Sequence, residues 1–440
     1  MNRTFPILLL ALIPAAPITA QTMPAPIVGE LTYERVIDLA LQNNLSIQGA
    51  SAGLDAAAAI RKSAQGNRWA SLALNGQYVR VDNNRIETPG IDPENWSIDL
   101  EVTQPIYAGG TISSGIEQAR AAESAAEADV RTSVETALLE VNLAWYACLL
   151  AREEVVVRRD SVRLLEEQLE TTRDRFDAGT VSRFEVLRSE VALANAKPPL
   201  IRAENGTRLA MVELFRVMGL PLESAQAPTI NGQLSFPEDG LSLTEALSIA
   251  RSNRPEYQAV EQSLRSAEAA VDLARADNLP SLSAFASYGL LKRATSAKID
   301  DTLDGWQVGL AANWTLLDAG TTRNQVRAAN ARVRQAELTL DELDLAIGSE
   351  VRTAHSFVQE AAELVEASRK VVEQAEEALS LAQDRYAVGA AIQLDVLQAE
   401  VDLTEARTNE IQALHDYNVA LARLRKAAGI LSRGLLPAGN

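Results

Sequence analysis

Trp96-Ser97-Ile98-Asp99-Leu100-Glu101-Val102-Thr103 sets an apolar residue at every even position and a polar one at every odd position. Successive side chains of a strand point to opposite faces, so the stretch reads as a β-strand with one apolar and one wet face. An equivalent stretch follows 210 positions later, where Trp306, Val308, Leu310, Ala312 and Trp314 alternate with Gln307, Gly309, Ala311 and Asn313. The other strand of each pair is Leu72 to Val81 or Leu282 to Leu291. Each is about ten residues, the length a tilted transmembrane strand needs. Trp69, Tyr78, Trp96, Tyr288, Trp306 and Trp314 lie in or at the ends of these strands, where aromatic girdles meet the lipid interface.

The offset of 210 holds without a gap along the chain: Ala40 meets Ala250, Gly110 meets Gly320, Arg175-Phe176 meets Arg385-Tyr386, and Gly219 meets Gly429. The mature chain is therefore two copies of one unit. The first unit spans 21–220, with a strand pair at about 69–106 and a helical hairpin at about 111–218. Residues 221–240, with Pro221, Pro228 and Pro237, read as a linker. The second unit spans 241–440, with a strand pair at about 281–316 and a hairpin at about 321–428. Short helical segments, Leu31 to Asn43 and Leu241 to Asn253, open the units. Residues 1–20 read as a secretory signal, with Arg3 before an apolar run and Ile18-Thr19-Ala20 before Gln21.

After Gly110 and Gly320 the period becomes helical. From Val326 to Tyr386 the seam Val326, Ala329, Val333, Ala336, Leu340, Leu343, Ile347, Val351 and onward advances by threes and fours, a coiled-coil pattern. The first unit carries Val155, Val162, Leu169 and Phe176 at sevens. Each long helix, Thr111 to Phe176 or Thr321 to Tyr386, is expected to reach ~100 Å. Gly179 and Gly389 break the helices, and a second helix returns from each, with Pro198-Pro199 expected to disrupt the first return helix.

Four strands per chain are too few for a closed barrel, since the smallest have about eight, so the chain is expected to oligomerise. Both strand pairs leave and return on one side, which puts all helices in the periplasm. The formal charge of −18 argues against a nucleic-acid partner. His355, His415 and Cys148 lack metal-ligand spacing, and no phosphate loop or nucleophile motif occurs, so no catalytic, cofactor or metal site is expected.

Gln104-Pro105-Ile106-Tyr107-Ala108-Gly109-Gly110 and Trp314-Thr315-Leu316-Leu317-Asp318-Ala319-Gly320 resemble the strand-to-helix junctions of the TolC family of outer-membrane efflux proteins. Arg175-Phe176-Asp177-Ala178-Gly179 with Glu185-Val186-Leu187, and Arg385-Tyr386-Ala387-Val388-Gly389 with Asp395-Val396-Leu397, resemble its hairpin tips. The resemblance implies a homotrimer with a twelve-stranded barrel in outer-membrane lipid, continuous with a periplasmic α-helical barrel. It implies docking of a periplasmic adaptor of an inner-membrane pump at the tips, Gly179, Thr180, Val181, Val388, Gly389 and Ala390. It also implies a periplasmic gate at Asp395, Gln398 and Glu185, with Ala391 where the best-known member has an arginine. The function so implied is passage of substrates outward in tripartite efflux or type I secretion. An exported, soluble coiled-coil scaffold is the competing reading, and it leaves the four membrane-length strands without a purpose.

Overall fold

Heptad-spaced apolar residues wind into the two longest elements of the computed structural model, which describes residues 29–82, 84, 91–222, 229–237, 241–292, 295 and 298–432. The first unit comprises β1 (Glu30–Thr32), α1 (Tyr33–Asn43), α2 (Leu45–Gly66), β2 (Ser71–Arg80), β3 (Glu94–Ala108), α3 (Thr111–Asp177) and α4 (Arg183–Met218). The second comprises β4 (Thr229–Asn231), α5 (Leu243–Asn253), α6 (Pro255–Ala276), β5 (Ser281–Lys292), β6 (Thr302–Asn313), α7 (Thr321–Ala387) and α8 (Gln393–Ala427). The expected signal segment and part of the linker lie outside the described residues.

α3 and α7 are 67 residues each, ~100 Å of continuous helix. Every position of the α7 seam between Val326 and Tyr386 is buried or half-buried. The first unit departs at its end: Val162 and Leu169 are buried, whereas Phe176 is exposed. α3 also holds a window apolar enough by composition to cross a membrane, but that window is mostly buried. Val134, Leu138, Val141, Trp145 and Leu149 pack there against α1 and the end of α4.

α4 and α8, at 36 and 35 residues, return along only the tip-proximal part of their long partners. α2 and α6 cover the remainder. Each splice between a return helix and the shorter helix uses a different residue at one repeat position. Asn44 accepts from the N–H groups of Ser46 and Ile47, capping α2, and donates to the Val217 carbonyl at 2.8 Å. Its repeat mate Arg254 instead donates to the Lys426 and Ala427 carbonyls and pairs with Glu256 and Glu350, both at 3.0 Å. Gly219 closes the first splice with φ +74 and no room for a side chain, since an added Cβ would sit 2.3 Å from the Asn43 carbonyl oxygen.

Two sequence expectations are corrected. α4 runs unbroken through Pro198 and Pro199. The carbonyls that lose their partners belong to Ala194 and Asn195, both exposed, so water can satisfy them. Within the linker, Thr229–Asn231 is a strand, β4, pairing in parallel with β1 so that Leu31 faces Ile230.

The four remaining strands form one antiparallel sheet in the order β2-β3-β5-β6. The register sets Tyr78 opposite Trp96, Leu100 opposite both Leu74 and Tyr288, and Tyr288 opposite Trp306.

The splices predict unequal costs. Arg254→Ala removes the donors to two carbonyls and the cation of Glu256, while Glu350 keeps Lys426 at 2.9 Å, and should lower stability by about 2–3 kcal/mol. Asn44→Ala should cost about 1–2 kcal/mol. Thermal unfolding in detergent checks the order, and equal or reversed effects contradict it.

Candidate functional site

Sheet parity sorts the strand side chains into two sets. Leu72, Leu74 and Tyr78 share a face with Trp96, Ile98, Leu100, Val102, Tyr288, Leu290, Trp306, Val308 and Leu310. All but Trp96 are exposed large apolar groups. The other face carries Asn75, Gln77, Ser97, Asp99, Glu101, Ser287 and Gln307. Asn75 donates to Asp99 at 3.0 Å on that wet side. The expected aromatics divide between the sheet ends. Tyr78, Trp96, Tyr288 and Trp306 occupy the end away from the helices, while Trp69 and Trp314 flank the strands at the helical end. Trp314 Nε1 donates to the Asn278 carbonyl at 3.1 Å, tying that ring to the end of α6. A sheet with one exposed apolar face and one polar face is suited to stand in a bilayer.

The strand-to-helix junctions depend on left-handed backbone. Gly110 and Gly320 have φ +97 and +85, and Gly109 has φ +61. A Cβ on Gly109 would lie 2.8 Å from the Ala276 carbonyl, so α6 can seat only against glycine there. Its mate Ala319 adopts φ +54. Asp318 begins α7, accepting from the Gly320 N–H at 2.9 Å and the Thr322 N–H at 2.6 Å. The Thr322 and Gly320 donors hold its carboxyl down at about 2.

At the far end both hairpins turn through the same motif. Gly179 and Gly389 have φ +75 and +76. Thr180 N–H bonds to the Arg175 carbonyl at 2.9 Å, and Ala390 N–H to the Arg385 carbonyl at 2.8 Å, the six-to-one closure that glycine permits. Thr180, Val388 and Ala390 are exposed around them, and Val181 is half-buried. Asp395 and Gln398 lie exposed on one face of α8. Asp395 accepts from the Ile392 N–H at 3.2 Å and so also caps its own helix. Gln398 donates to Asp402 at 2.8 Å.

Glu185 is brought to the second hairpin by Tyr386, whose hydroxyl donates to it at 3.4 Å. Arg175 stacks over the Tyr386 ring at 4.5 Å and donates to the Tyr386 carbonyl at 3.3 Å. Tyr386 and Arg175 are absent from the sequence-based site, although the repeat carries the clue: Phe176 and Tyr386 are mates and differ by the one hydroxyl that makes the tie. Ala391 is half-buried against the cluster of Leu379, Tyr386, Val396, Ala399 and Leu403.

An amphipathic sheet continued by paired helices ~100 Å long defines an outer-membrane export channel whose tunnel extends into the periplasm. The chain belongs to the outer membrane efflux protein family, whose model matches residues 36–220 and 246–430, one match per repeat. Among its relatives, the alkaline protease secretion protein AprF of Pseudomonas aeruginosa is 26% identical, covering 77% of this chain and 71% of its own. The outer membrane protein TolC of Escherichia coli is 23% identical, covering 92% and 84%. The outer membrane protein VceC of Vibrio cholerae superposes with a TM-score of 0.75 at 19% identity, covering 90% of this chain and 95% of that one. The family is one of transport channels.

The Asp318 cap carries a pH signature. Its folded-state value, about 2, lies below the ordinary 3.8, so its contribution is present above the ordinary value and disappears as pH falls toward 2. The difference in thermal midpoint between wild type and Asp318→Ala should therefore be constant from neutral pH down to about 4 and shrink below it. A difference that persists undiminished at the acid end contradicts this role.

Proposed function

We propose that three copies of the chain close into a twelve-stranded barrel and a continuous helical tunnel, which receives substrate from an inner-membrane pump through a periplasmic adaptor. The observation that carries this reading is the pair of open sheet edges: among the described residues, β2 and β6 each pair on one side only. Unpaired backbone groups are not tolerated in lipid, so the edges must pair with other copies. The internal repeat supplies the register. Carrying the β3–β5 pairing across by the repeat offset sets Leu310 opposite Tyr78 and Ala311 opposite Gln77 of the next copy, which keeps both apolar faces on one side.

The helices offer matching surfaces. On α4, Phe184, Leu187, Val191, Ala194, Pro198 and Ile201 advance by threes and fours and are all exposed. On α7, Phe357, Leu364 and Val371 recur at sevens and are also exposed. Seams of this kind bury each other in coiled coils. In the trimer, α4 of one copy lies against α7 of the next.

The tip residues Gly179, Thr180, Val181, Val388, Gly389 and Ala390, all exposed but the half-buried Val181, are the adaptor-docking surface in this reading, because they lie farthest from the sheet. Asp395, with Gln398 one turn on and Glu185 held by Tyr386, forms the periplasmic gate. Threefold repetition makes Asp395 a ring of carboxylates that attracts cations at a narrow mouth. The repeat division 21–220 and 241–440 follows the two halves of this assembly.

Two experiments test the reading. In a planar bilayer at low salt, Asp395→Asn should weaken cation selectivity and block by multivalent cations while the trimer survives; unaltered selectivity and block leave Asp395 only its capping role. Gly389→Val, which strains a left-handed turn, should reduce export in cells with trimer amount and membrane location unchanged. Normal export would remove the tip from the docking surface.

A further inference from the structure

The two hairpins are copies, so a position whose chemistry differs between them marks something one hairpin does and the other does not. In the first, Glu190 on α4 accepts from Arg173 on α3 at 2.7 Å. The repeat offset converts that pair into Glu400 on α8 and Gln383 on α7. The carboxylate is retained and its cation is gone. The environments differ as well: the Glu190 side chain is 41% exposed, whereas Glu400 is only 4% exposed. Glu400 Oε2 is buried without a hydrogen-bond partner.

Glu400 lines a cavity of about 250 Å³ between α3, α7 and α8, next to the tips. From α3, Glu167 and Arg175 face it; from α7, Tyr386 and the uncharged Gln383 do; no residue of α4 lines it. Arg175 is committed to the ring and carbonyl of Tyr386. Gln168 also lines the cavity, and its Nε2 is likewise buried without a partner. The Glu400 carboxylate makes no ion pair with Arg175, and it faces the charge of Glu167, whose own cation is Arg163 at 2.9 Å. Burial first, and Glu167 second, push the Glu400 carboxyl up to about 7.

We propose that Glu400 is a protonation-controlled latch between the two hairpins: the neutral acid lets α8 lie closed on α3 beside the tips, and the ionised form drives them apart and widens the passage. This rests on the reading of the tips as the periplasmic gate. The direction follows from linkage. A carboxyl whose folded-state value is raised favours the closed packing below its ordinary value of 4.5, and that contribution is lost as pH rises through about 7. The first hairpin has no such switch, because Arg173 holds Glu190 as an ion pair.

The test is single-channel conductance of the full-length protein in planar bilayers from about pH 5.5 to 8.5, a range over which the neutral-to-ionised ratio changes about tenfold per pH unit. Wild type should show mean conductance rising with pH, with a midpoint near 7. Glu400→Gln should keep the low-pH conductance throughout. Gln383→Arg, which recreates the first hairpin's pair, should also lose the pH response, since a paired Glu400 stays ionised across the range. The latch is overturned if wild type is flat, or if channels of either variant keep the wild-type response. Failure of wild type to conduct at any pH overturns the channel reading and the latch with it, and is told apart from failure of the latch alone by the presence of channels.

Discussion

Backbone hydrogen bonding in a medium without water is the constraint on which the rest of this structure depends. A buried peptide group without a partner costs several kcal/mol in hydrocarbon, and a four-stranded sheet leaves two edges of such groups. In the proposed assembly the β2 and β6 edges pair between copies, and the helices leaving the sheet at Gly110 and Gly320 run side by side around an axis. Helices so arranged need one seam for their own hairpin and another for the neighbour. The α7 seam serves the first need near the tips and packs against α5 and α6 toward the sheet, and the exposed stripes on α4 and α7 are available for the second.

The repeat explains how one chain makes a tube of two slightly different hairpins. Three positions fixed by backbone geometry keep glycine in both units, Gly110 and Gly320, Gly179 and Gly389, and Gly219 and Gly429, all with positive φ, whereas Gly109 is matched by Ala319. Positions that act through side-chain chemistry have diverged, as Asn44 and Arg254 have at the splices, Phe176 and Tyr386 at the tips, and Arg173 and Gln383 beside Glu190 and Glu400. Divergence at fixed geometry gives the two hairpins different contacts on one backbone plan.

Patterns of period two and three-to-four were legible in the sequence because each element gathers its apolar residues on a single face. The alternation in Trp96–Thr103 became β3, and the α7 heptads became one helix of 67 residues. The β1–β4 pair was not legible, since three residues carry no period. The unbroken path through Pro198 and Pro199 was missed because the cost of a proline depends on whether the freed carbonyls reach water, which only the fold reveals. Asp395, Gln398 and Glu185 were named from resemblance, but the tie to Tyr386 and the burial of Glu400 belong to contacts between hairpins and have no local signal. The missing cation at Gln383 was readable in principle, once Arg173 was known to pair with Glu190.

The central claim is that β6 of each copy continues into β2 of the next. Directly opposed residues of an antiparallel pair have Cβ atoms about 4.5–5.5 Å apart, close enough for a disulfide after small adjustment. In a Cys148→Ser background, which removes the sole cysteine, Gln77→Cys and Ala311→Cys together should give dimers and trimers on non-reducing denaturing gels after oxidation in the membrane. Either substitution alone should not give trimers. Monomers only from the double variant, with the protein intact in the outer membrane, would contradict the shared sheet.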